Sequence, residues 1–248
     1  MKSLFLLIIF FFSTLFSKPS SNDYIKSCLG LSTFVYTQFF FSPQLTKART
    51  NKIENVNLFD TKARKSIKWN SVKLARASSM SDLLVYGLVL GSIPVIPFFS
   101  NDNYYENLIT RVNILSLNGI ITNLVKLTSS RERPKYRFNL GKEKSNETYK
   151  SFFSGHTSTA FSIGISNAII LSRQYPKHSS KIWLTSIITA ATTGYLRIAS
   201  DEHYATDVIA GSIAGGLVGF LSHRSNKDKK FNLSHSFNTI HFSLFIDK

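Results

Sequence analysis

The chain has 248 residues, which predicts one domain with a sizeable buried core. Its 30 lysine and arginine residues against 14 acidic residues give a net charge of +16, so anionic partners are expected: nucleic acid, anionic lipid or phosphorylated substrates. The single cysteine, Cys28, excludes an intrachain disulfide.

Residues 1–17 have the pattern of a targeting segment. Lys2 supplies a positive start, and the apolar run at 4–16 has the length of a signal-peptide core but is short for a membrane span. Ser17 is a small residue at a plausible cleavage point. We therefore expect an exported protein with a signal peptide at 1–17; an uncleaved N-terminal anchor is the alternative.

Residues 18–82 predict a helical, basic N-terminal region. The polar stretch 18–25 predicts a linker, and the uncharged, aromatic stretch 28–42 predicts a buried helix or a membrane span. Residues 62–69 and 73–76 form an amphipathic, basic segment. This pattern favours a solvated helix, with contact to a membrane surface as the alternative.

Residues 83–222 predict the core, in which apolar helical segments alternate with turns. Together with 28–42, the predicted segments are 83–99 (which Ser81 and Asp82 would cap), 108–127, 157–172, 182–196 and 208–221. Short connections predict an all-α, up-and-down bundle of about six core helices. Glycines in the last segment allow close helix packing: Gly211, Gly215, Gly216 and Gly219. A basic tail occupies 223–248, and alternating apolar residues at 240–246 predict a short terminal strand.

The first of three polar clusters closes the helix predicted at 108–127. Lys126 and Arg133 are seven residues apart, or two helical turns, so they share a face before Pro134 ends the element. Two cations at the end of an apolar helix can bind an anion. Considered alone, the cluster is equally typical of a basic helix end that complements the helix dipole.

The second cluster directly precedes the helix predicted at 157–172. Ser154 can cap that helix, Gly155 lets a ligand approach the backbone, and the free N–H groups of a helix start favour an anion. His156 would face the anion and could protonate a leaving group. An ordinary serine cap with an incidental histidine is the simpler alternative.

The third cluster contains Arg197, His203 and Asp207. If a helix begins near residue 201 or 202, His203 and Asp207 lie one turn apart on one face. The carboxylate can then accept a proton from one imidazole nitrogen and leave the other free as a nucleophile. Arg197 could hold an anion against that nitrogen, although a surface helix would explain these residues separately.

The three clusters fall at the same end of an up-and-down bundle, because each lies where one helix ends or the next begins. Three cations, two histidines, one carboxylate and a helix N-terminus would then surround one pocket. This combination suits a tetrahedral oxyanion.

The three clusters together resemble the motifs of the type-2 phosphatidic acid phosphatase and vanadium haloperoxidase superfamily: K-x6-R-P, P-S-G-H and S-R-x5-H-x3-D. The corresponding residues here are 126–134, 153–156 and 196–207, with the order and internal spacing kept, and the resemblance covers about residues 83–221. Phe153 replaces the usual proline and Leu196 the usual serine. Neither change removes a charged group, although Leu196 removes a supporting hydrogen-bonding side chain.

The resemblance implies a metal-independent phosphatase that works through a phosphohistidine, without a cofactor. His203 is implied to attack phosphorus, Asp207 to orient His203, and His156 to protonate the leaving alcohol. The residues implied to bind the phosphate oxygens are Lys126, Arg133, Ser154, Gly155 and Arg197.

Three alternatives belong to other functional classes. A vanadate-dependent haloperoxidase would hold vanadate as its cofactor in the same pocket. A non-catalytic anion-binding protein would need only the cations, so the histidines argue against it. A nucleic-acid-binding protein fits the charge, but the sequence contains no recognised nucleic-acid module.

The location and the substrate are predicted more coarsely. Several segments are shorter than the roughly 20 apolar residues of a membrane span, and the mean hydropathy is near zero. These features favour an exported, periplasmic enzyme that is soluble or attached to the membrane surface; an integral membrane enzyme with a periplasmic active site is the alternative. The basic surface favours a phosphorylated lipid as substrate, with a small phosphate ester as the alternative.

Overall fold

The computed structural model describes residues 21–41, 56–99, 104–138, 145 and 147–223. The predicted signal segment at 1–17 and the strand predicted at 240–246 lie outside these ranges. Throughout the described ranges all regular structure is helical, which confirms the all-α prediction.

Within the described residues, six long helices form the bundle, and one shorter helix and a single helical turn accompany them. In chain order the helices are α1 (Ser21–Tyr36), α2 (Leu58–Ile67), α3 (Leu74–Val95), α4 (Tyr104–Ser129), α5 (Pro134–Arg137), α6 (Gly155–Gln174), α7 (Ser179–Ala199) and α8 (Ala205–Leu221). Helix α6 is central and packs against α3, α4, α7 and α8, whereas α1 packs on α4 and α2 packs on α7 and α8.

The glycines of α8 bring its backbone against that of α6. A Cβ atom on Gly211 would lie 2.6 Å from the carbonyl oxygen of Ser154, and one on Gly215 or Gly219 would overlap the carbonyl oxygen of Ser158 or Ser162. Only glycine permits this separation, so the close packing predicted for this segment is confirmed at these three positions. Gly216 instead faces the side chain of Ile165.

Polar side chains lie inside the bundle and many apolar side chains lie outside it. Asn113, Asn118 and Asn123 of α4 are buried. Asn118 donates to Thr159 Oγ1 at 3.2 Å, and Asn123 donates to Thr37 Oγ1 at 3.1 Å. By contrast, α3, α7 and α8 expose apolar side chains along their outer faces: Leu83, Leu90, Leu184, Ile188, Ile209, Ile213, Leu217 and Phe220.

Two predicted boundaries are wrong. Helix α1 begins at Ser21, so residues 21–25 are helical rather than part of a linker. Helix α3 begins at Leu74, so Ser81 and Asp82 lie inside it and do not cap it. Both predictions took polar residues as a helix boundary. Ser81 and Asp82 are instead polar residues within a helix, and their side chains contact Arg197 and His156.

Candidate active site

The three polar clusters meet at one end of the bundle. Lys126 is near the end of α4, and its Nζ would lie 3.4 Å from a Cβ atom on Gly155, the first residue of α6. The N–H of Ser154 donates to the carbonyl oxygen of Asp207 in α8 at 3.0 Å. These contacts join the first cluster to the second and the second to the third.

Ser154 caps helix α6, as predicted. Its φ and ψ angles of −67° and 111° are extended, and its Oγ accepts from the N–H of Thr157 at 3.4 Å. The hydroxyl of Thr157 also donates to this oxygen at 2.9 Å. Because Ser154 is fully buried and its backbone is fixed by Asp207, the first N–H groups of α6 have a defined direction next to Lys126.

His203 lies in the short loop between α7 and α8, and its side chain is buried. Its Nδ1 is 2.8 Å from the backbone carbonyl oxygen of Ser151. A carbonyl oxygen can only accept a hydrogen bond, so Nδ1 carries the proton and Nε2 keeps its lone pair. Burial lowers the pKa of His203 well below its ordinary value, and Arg133, Arg197 and Lys126 lower it further. The ring is therefore a neutral imidazole with a free Nε2.

Asp207 contacts His203 differently from the prediction. Helix α8 begins at Ala205, so His203 precedes it and the two residues do not share a helical face. Asp207 Oδ2 is 3.6 Å from His203 Nδ1 and accepts instead from Ser151 Oγ at 2.5 Å and from the N–H of Tyr204 at 2.9 Å. Asp207 therefore holds Ser151, whose carbonyl oxygen holds His203.

Arg131 explains why Asp207 is oriented away from the imidazole. Its Nη1 donates to Asp207 Oδ1 at 2.5 Å, and its Nη2 donates to Asp60 Oδ2 at 2.7 Å. The guanidinium also lies 4.2 Å from the centroid of the Tyr204 ring. Sequence analysis missed Arg131, although it lies between Lys126 and Arg133 in the first motif.

Arg133 and Arg197 are buried, and each has an Nε–H group without a hydrogen-bond partner among the described residues. Their terminal nitrogens are occupied. Arg133 Nη1 is 2.5 Å from Glu202 Oε2, and Arg197 Nη1 donates to Ser81 Oγ at 3.1 Å. A buried donor without a partner costs about 1–3 kcal/mol. An anion that accepts from these two groups would recover that free energy.

Glu202 is an acidic residue among the cations of the site, and sequence analysis missed it too. Besides Arg133, it contacts Lys135 at 2.6 Å and Arg197 at 3.7 Å. Burial raises the pKa of Glu202, but Arg133, Arg197 and the hydrogen bond from Lys135 lower it to about 2. The carboxylate is therefore ionised throughout the physiological range. Its position directly before His203 in the sequence could have indicated that Glu202 belongs to the site.

Glu147 is a second carboxylate at the site, on the segment between α5 and α6. Its Oε2 is 3.1 Å from Arg133 Nη2 and its Oε1 is 2.7 Å from Lys150 Nζ, while half of its side chain remains exposed. Burial raises the pKa of Glu147, but the hydrogen bond from Lys150 and the charge of Arg133 lower it overall. A small cavity adjoins this carboxylate, lined by Gln38, Asn123, Lys126, Leu127, Glu147 and Lys150. Glu147 thus occupies a position where an incoming anion could bind Arg133.

His156 lies in the first turn of α6, and its partner is Asp82 of α3. Its Nε2 is 2.8 Å from Asp82 Oδ1, which is also 3.5 Å from Arg197 Nη1. A carboxylate oxygen accepts hydrogen bonds, so Nε2 of His156 carries a proton and donates it to Asp82. Sequence analysis assigned Asp82 to a helix cap. An acid within an apolar helix was the signal that it has a partner inside the bundle.

The two departures from the motif pattern are accommodated in the interior. Phe153 is buried directly before the Ser154 cap. Leu196 packs against Ala77 and Ala199, with Ile67, Trp69 and Leu84 around them. An aliphatic side chain therefore fills the position where the motif has a serine, and its neighbours are apolar.

The structure thus brings all eight predicted site residues to one end of the bundle, around a neutral imidazole and several cations. Two of those cations, Arg133 and Arg197, offer unused N–H groups. The donors, the helix N-terminus of α6 and the free Nε2 of His203 can together bind a tetrahedral oxyanion and present a nucleophile to it.

Comparisons with known proteins identify the family and the fold. Residues 108–231 match the model of the PAP2 superfamily. The crystal structure of a protein described as the first transmembrane PAP2-type phosphatidylglycerolphosphate phosphatase from Bacillus subtilis has a similar fold, with a TM-score of 0.56 at 22% sequence identity. The match covers 82% of this chain and 98% of that chain. The chain therefore belongs to the PAP2 superfamily.

Proposed function

We propose that the protein hydrolyses a phosphomonoester or pyrophosphate, carried by a lipid or a lipid-linked substrate, through a phosphohistidine at His203. The observation that carries this proposal is the state of His203. Its Nδ1 proton is committed to the Ser151 carbonyl oxygen, which leaves the Nε2 lone pair free in a region made positive by Arg133, Arg197 and Lys126. A site that only bound anions would need the cations but not this nucleophile.

The first chemical step forms a bond between His203 Nε2 and phosphorus and breaks the bond between phosphorus and the ester oxygen. His156 donates a proton to the departing oxygen, so the alcohol leaves as a neutral molecule. Lys126, Arg133 and Arg197 neutralise the three non-bridging oxygens, and the hydroxyl of Ser154 and the N–H of Gly155 add hydrogen bonds.

The second step releases phosphate. Water attacks phosphorus, the bond to His203 Nε2 breaks, and His156, now deprotonated, accepts a proton from the water. Asp207 keeps the imidazole in place through Ser151 rather than through a direct hydrogen bond. Every proton and bond is balanced without a metal ion or a cofactor.

We further propose that the bundle is embedded in a membrane. The segments Ser71–Phe99 and Tyr104–Arg137 are long and apolar enough to cross one. The helices α3, α7 and α8 expose apolar side chains on their outer faces and the asparagines of α4 are buried, which is the distribution expected in lipid. These features favour the integral form over the soluble one that the short apolar segments suggested. An integral protein should stay in the membrane pellet after carbonate extraction, whereas a peripheral one should be released.

This location favours a lipid substrate, whose phosphate would reach the charged end of the bundle from the membrane surface. The similar Bacillus subtilis structure is described as a phosphatidylglycerolphosphate phosphatase, which is in line with this substrate class. The active site would face the periplasm. The remaining predictions stay proposals: an export signal at 1–17, an N-terminal region at 18–82, a catalytic core at 83–222 and a tail at 223–248.

The test compares two kinds of leaving group. Phosphate release by the purified full-length protein is measured in detergent with EDTA, on phosphatidate and on p-nitrophenyl phosphate. We expect the His203→Ala variant to lose activity on both substrates. His156→Ala should lose about 100-fold or more on phosphatidate but much less on p-nitrophenyl phosphate, because p-nitrophenolate leaves without a proton. His178→Ala is the matched control, since His178 is an exposed histidine outside the site.

The chemical stability of the trapped phosphoenzyme tests whether a histidine carries the phosphate. A phosphoenzyme trapped from the wild type should be acid-labile and base-stable, and it should be absent from His203→Ala. If the folded wild type releases no phosphate from either substrate, the hydrolase proposal is wrong. If His203→Ala retains wild-type activity, the nucleophile is another residue.

A further inference from the structure

Helix α2 contacts the loop that carries His203 at two places, one on each side of the histidine. Asp60 binds Thr206, three residues after His203, and Arg64 binds Asp201, two residues before it. Helix α2 lies outside the segment that matches the family model, which begins at residue 108. The loop lies within the segment that matches the family model, but the helix that contacts it on both sides of His203 does not.

The contact after His203 is centred on the buried carboxylate of Asp60. It accepts from the N–H of Thr206 at 2.8 Å and from the Thr206 hydroxyl at 2.7 Å. It also accepts from Arg131 Nη2, whose other terminal nitrogen binds Asp207. Asp60 is thus linked to Ser151 through Arg131 and Asp207, and Ser151 provides the carbonyl that binds His203.

The contact before His203 is an ion pair in a fork geometry. Arg64 donates from Nε and Nη2 to the two oxygens of Asp201 at 2.6 and 2.7 Å, and Lys68 Nζ lies 3.3 Å from the same carboxylate. Asp201 is fully buried and has a φ angle of 61°, in the left-handed region. That conformation is unfavourable for a residue that has a side chain, so it needs surrounding contacts that hold it.

Two further contacts fix α2 against the end of α7. The N–H of Trp69 donates to the carbonyl oxygen of Ala199 at 3.0 Å, and Trp69 Nε1 donates to the hydroxyl of Tyr195 at 3.1 Å. The guanidinium of Arg64 also lies 4.0 Å from the centroid of the Phe138 ring. The helix is therefore held in a defined position, which lets Asp60 and Arg64 fix the loop.

From these contacts we propose that α2 is a clamp for the catalytic loop, with Asp60 and Arg64 as positioning residues for His203. The proposal rests on the phosphatase function proposed above. Neither residue touches the substrate. Both act by keeping His203 Nε2 in line with the bound phosphate, and an error of about 1 Å in such a position can cost about 100-fold in rate.

The experiment uses the full-length protein with the variants Asp60→Asn, Arg64→Gln and Arg64→Lys. We expect Asp60→Asn and Arg64→Gln to lower kcat about 10- to 100-fold with little change in KM, because the phosphate-binding cations lie on other elements. Arg64→Lys keeps the charge and should recover part of kcat. Lys65→Gln, which removes an exposed charge from the same helix, is the matched control.

A double-variant cycle tests the specific pairing. If Arg64 acts through Asp201, adding Arg64→Gln to Asp201→Asn should lower kcat little further. Fully additive losses, or a KM that rises in proportion to the fall in kcat, would overturn the assignment of Arg64. Activity is expressed per molecule that binds vanadate, so loss of folded protein is not counted as loss of kcat.

Hydrogen–deuterium exchange distinguishes failure of the clamp from failure of the proposed function. Because the N–H of Thr206 donates to Asp60, Asp60→Asn should speed exchange in the segment 201–207 and not in the distant end of α6. Unchanged exchange and unchanged kcat would reject the clamp. Faster exchange in a protein whose wild type shows no phosphatase activity would support the clamp and reject the function.

Discussion

His203 donates its Nδ1 proton to the carbonyl oxygen of Ser151 at 2.8 Å, while the nearest oxygen of Asp207 lies 3.6 Å from the same nitrogen. A backbone carbonyl therefore fixes the tautomer. Asp207 acts on the imidazole indirectly, because its carboxylate holds Ser151 by a hydrogen bond and Ser151 holds His203.

This arrangement predicts a moderate effect of Asp207→Asn. In sites where a carboxylate alone fixes the tautomer, its loss costs about 10⁴-fold in kcat. Here the carbonyl remains, so we expect a loss of about 10- to 100-fold, with the phosphoenzyme still formed. Rapid-quench measurement of the phosphoenzyme checks this. A variant as inactive as His203→Ala would show that the carboxylate is the essential partner.

The pH dependence follows from the lowered pKa of His203. The nucleophile is neutral at pH 6.5 and below, so kcat/KM should not fall with the titration of an ordinary histidine near pH 6.5. The pH dependence of the folding stability has the opposite sign to that expected for a salt-bridged histidine, whose pKa is raised. Between the lowered folded value and 6.5 the unfolded chain binds the proton more readily, so stability falls as the pH falls below 6.5.

Thermal unfolding across this range measures the effect. The slope contributed by one proton is at most about 1.4 kcal/mol per pH unit. His203→Gln should flatten the dependence of the unfolding temperature between pH 6.5 and pH 5, whereas His178→Ala should leave it unchanged. Equal slopes in wild type and His203→Gln would contradict the neutral buried imidazole.

Glu147 should compete with anions for Arg133. Arg133 also pairs with Glu202, so it keeps one carboxylate partner when the charge of the half-exposed Glu147 is removed. We expect Glu147→Gln to lower the inhibition constant of inorganic phosphate several-fold. Glu132→Gln is the control, since Glu132 lies next to Arg133 in sequence but forms its ion pair with Arg137, at 3.6 Å. An inhibition constant equal to that of wild type would show that Glu147 does not occupy the anion position.

The contact between α6 and α8 predicts a large difference between two glycine substitutions. A Cβ atom on Gly215 would overlap the carbonyl oxygen of Ser158, whereas one on Gly87 of α3 has no neighbour within 4 Å. Gly215→Ala should destabilise the protein by about 1–3 kcal/mol through overpacking. Gly87→Ala should be neutral or should stabilise α3 by up to about 1 kcal/mol. Unfolding temperatures in the same detergent test both, and equal temperatures would contradict the close approach.

The bundle and the meeting of the three clusters could be predicted from the sequence, because both depend on local patterns. Apolar segments and short connections specify which helix ends lie together, and the spacing from Lys126 to Arg133 is visible in one stretch of chain. The helix cap at Ser154 is likewise a local property of the residues around it.

The partners of the proposed catalytic groups could not be predicted, because each partner is far from its group in the chain. Asp82 is 74 residues from His156, and Asp60 is 146 residues from Thr206. Nothing local distinguishes Asp60 from an exposed acid on an amphipathic helix. The hydrogen bond from His203 to Ser151 involves a backbone carbonyl, which every residue has, so no side-chain pattern indicates it.

The packing of α8 on α6 has a consequence for motion of the bundle. Ser154 at the start of α6 and Asp207 in the first turn of α8 are joined by a backbone hydrogen bond, and Gly211, Gly215 and Gly219 leave no space between the two helices below it. We therefore expect the two helices to move together as one rigid unit. An opening that admitted a substrate would then involve the other elements around the site, such as α3 with Asp82 and α4 with Lys126.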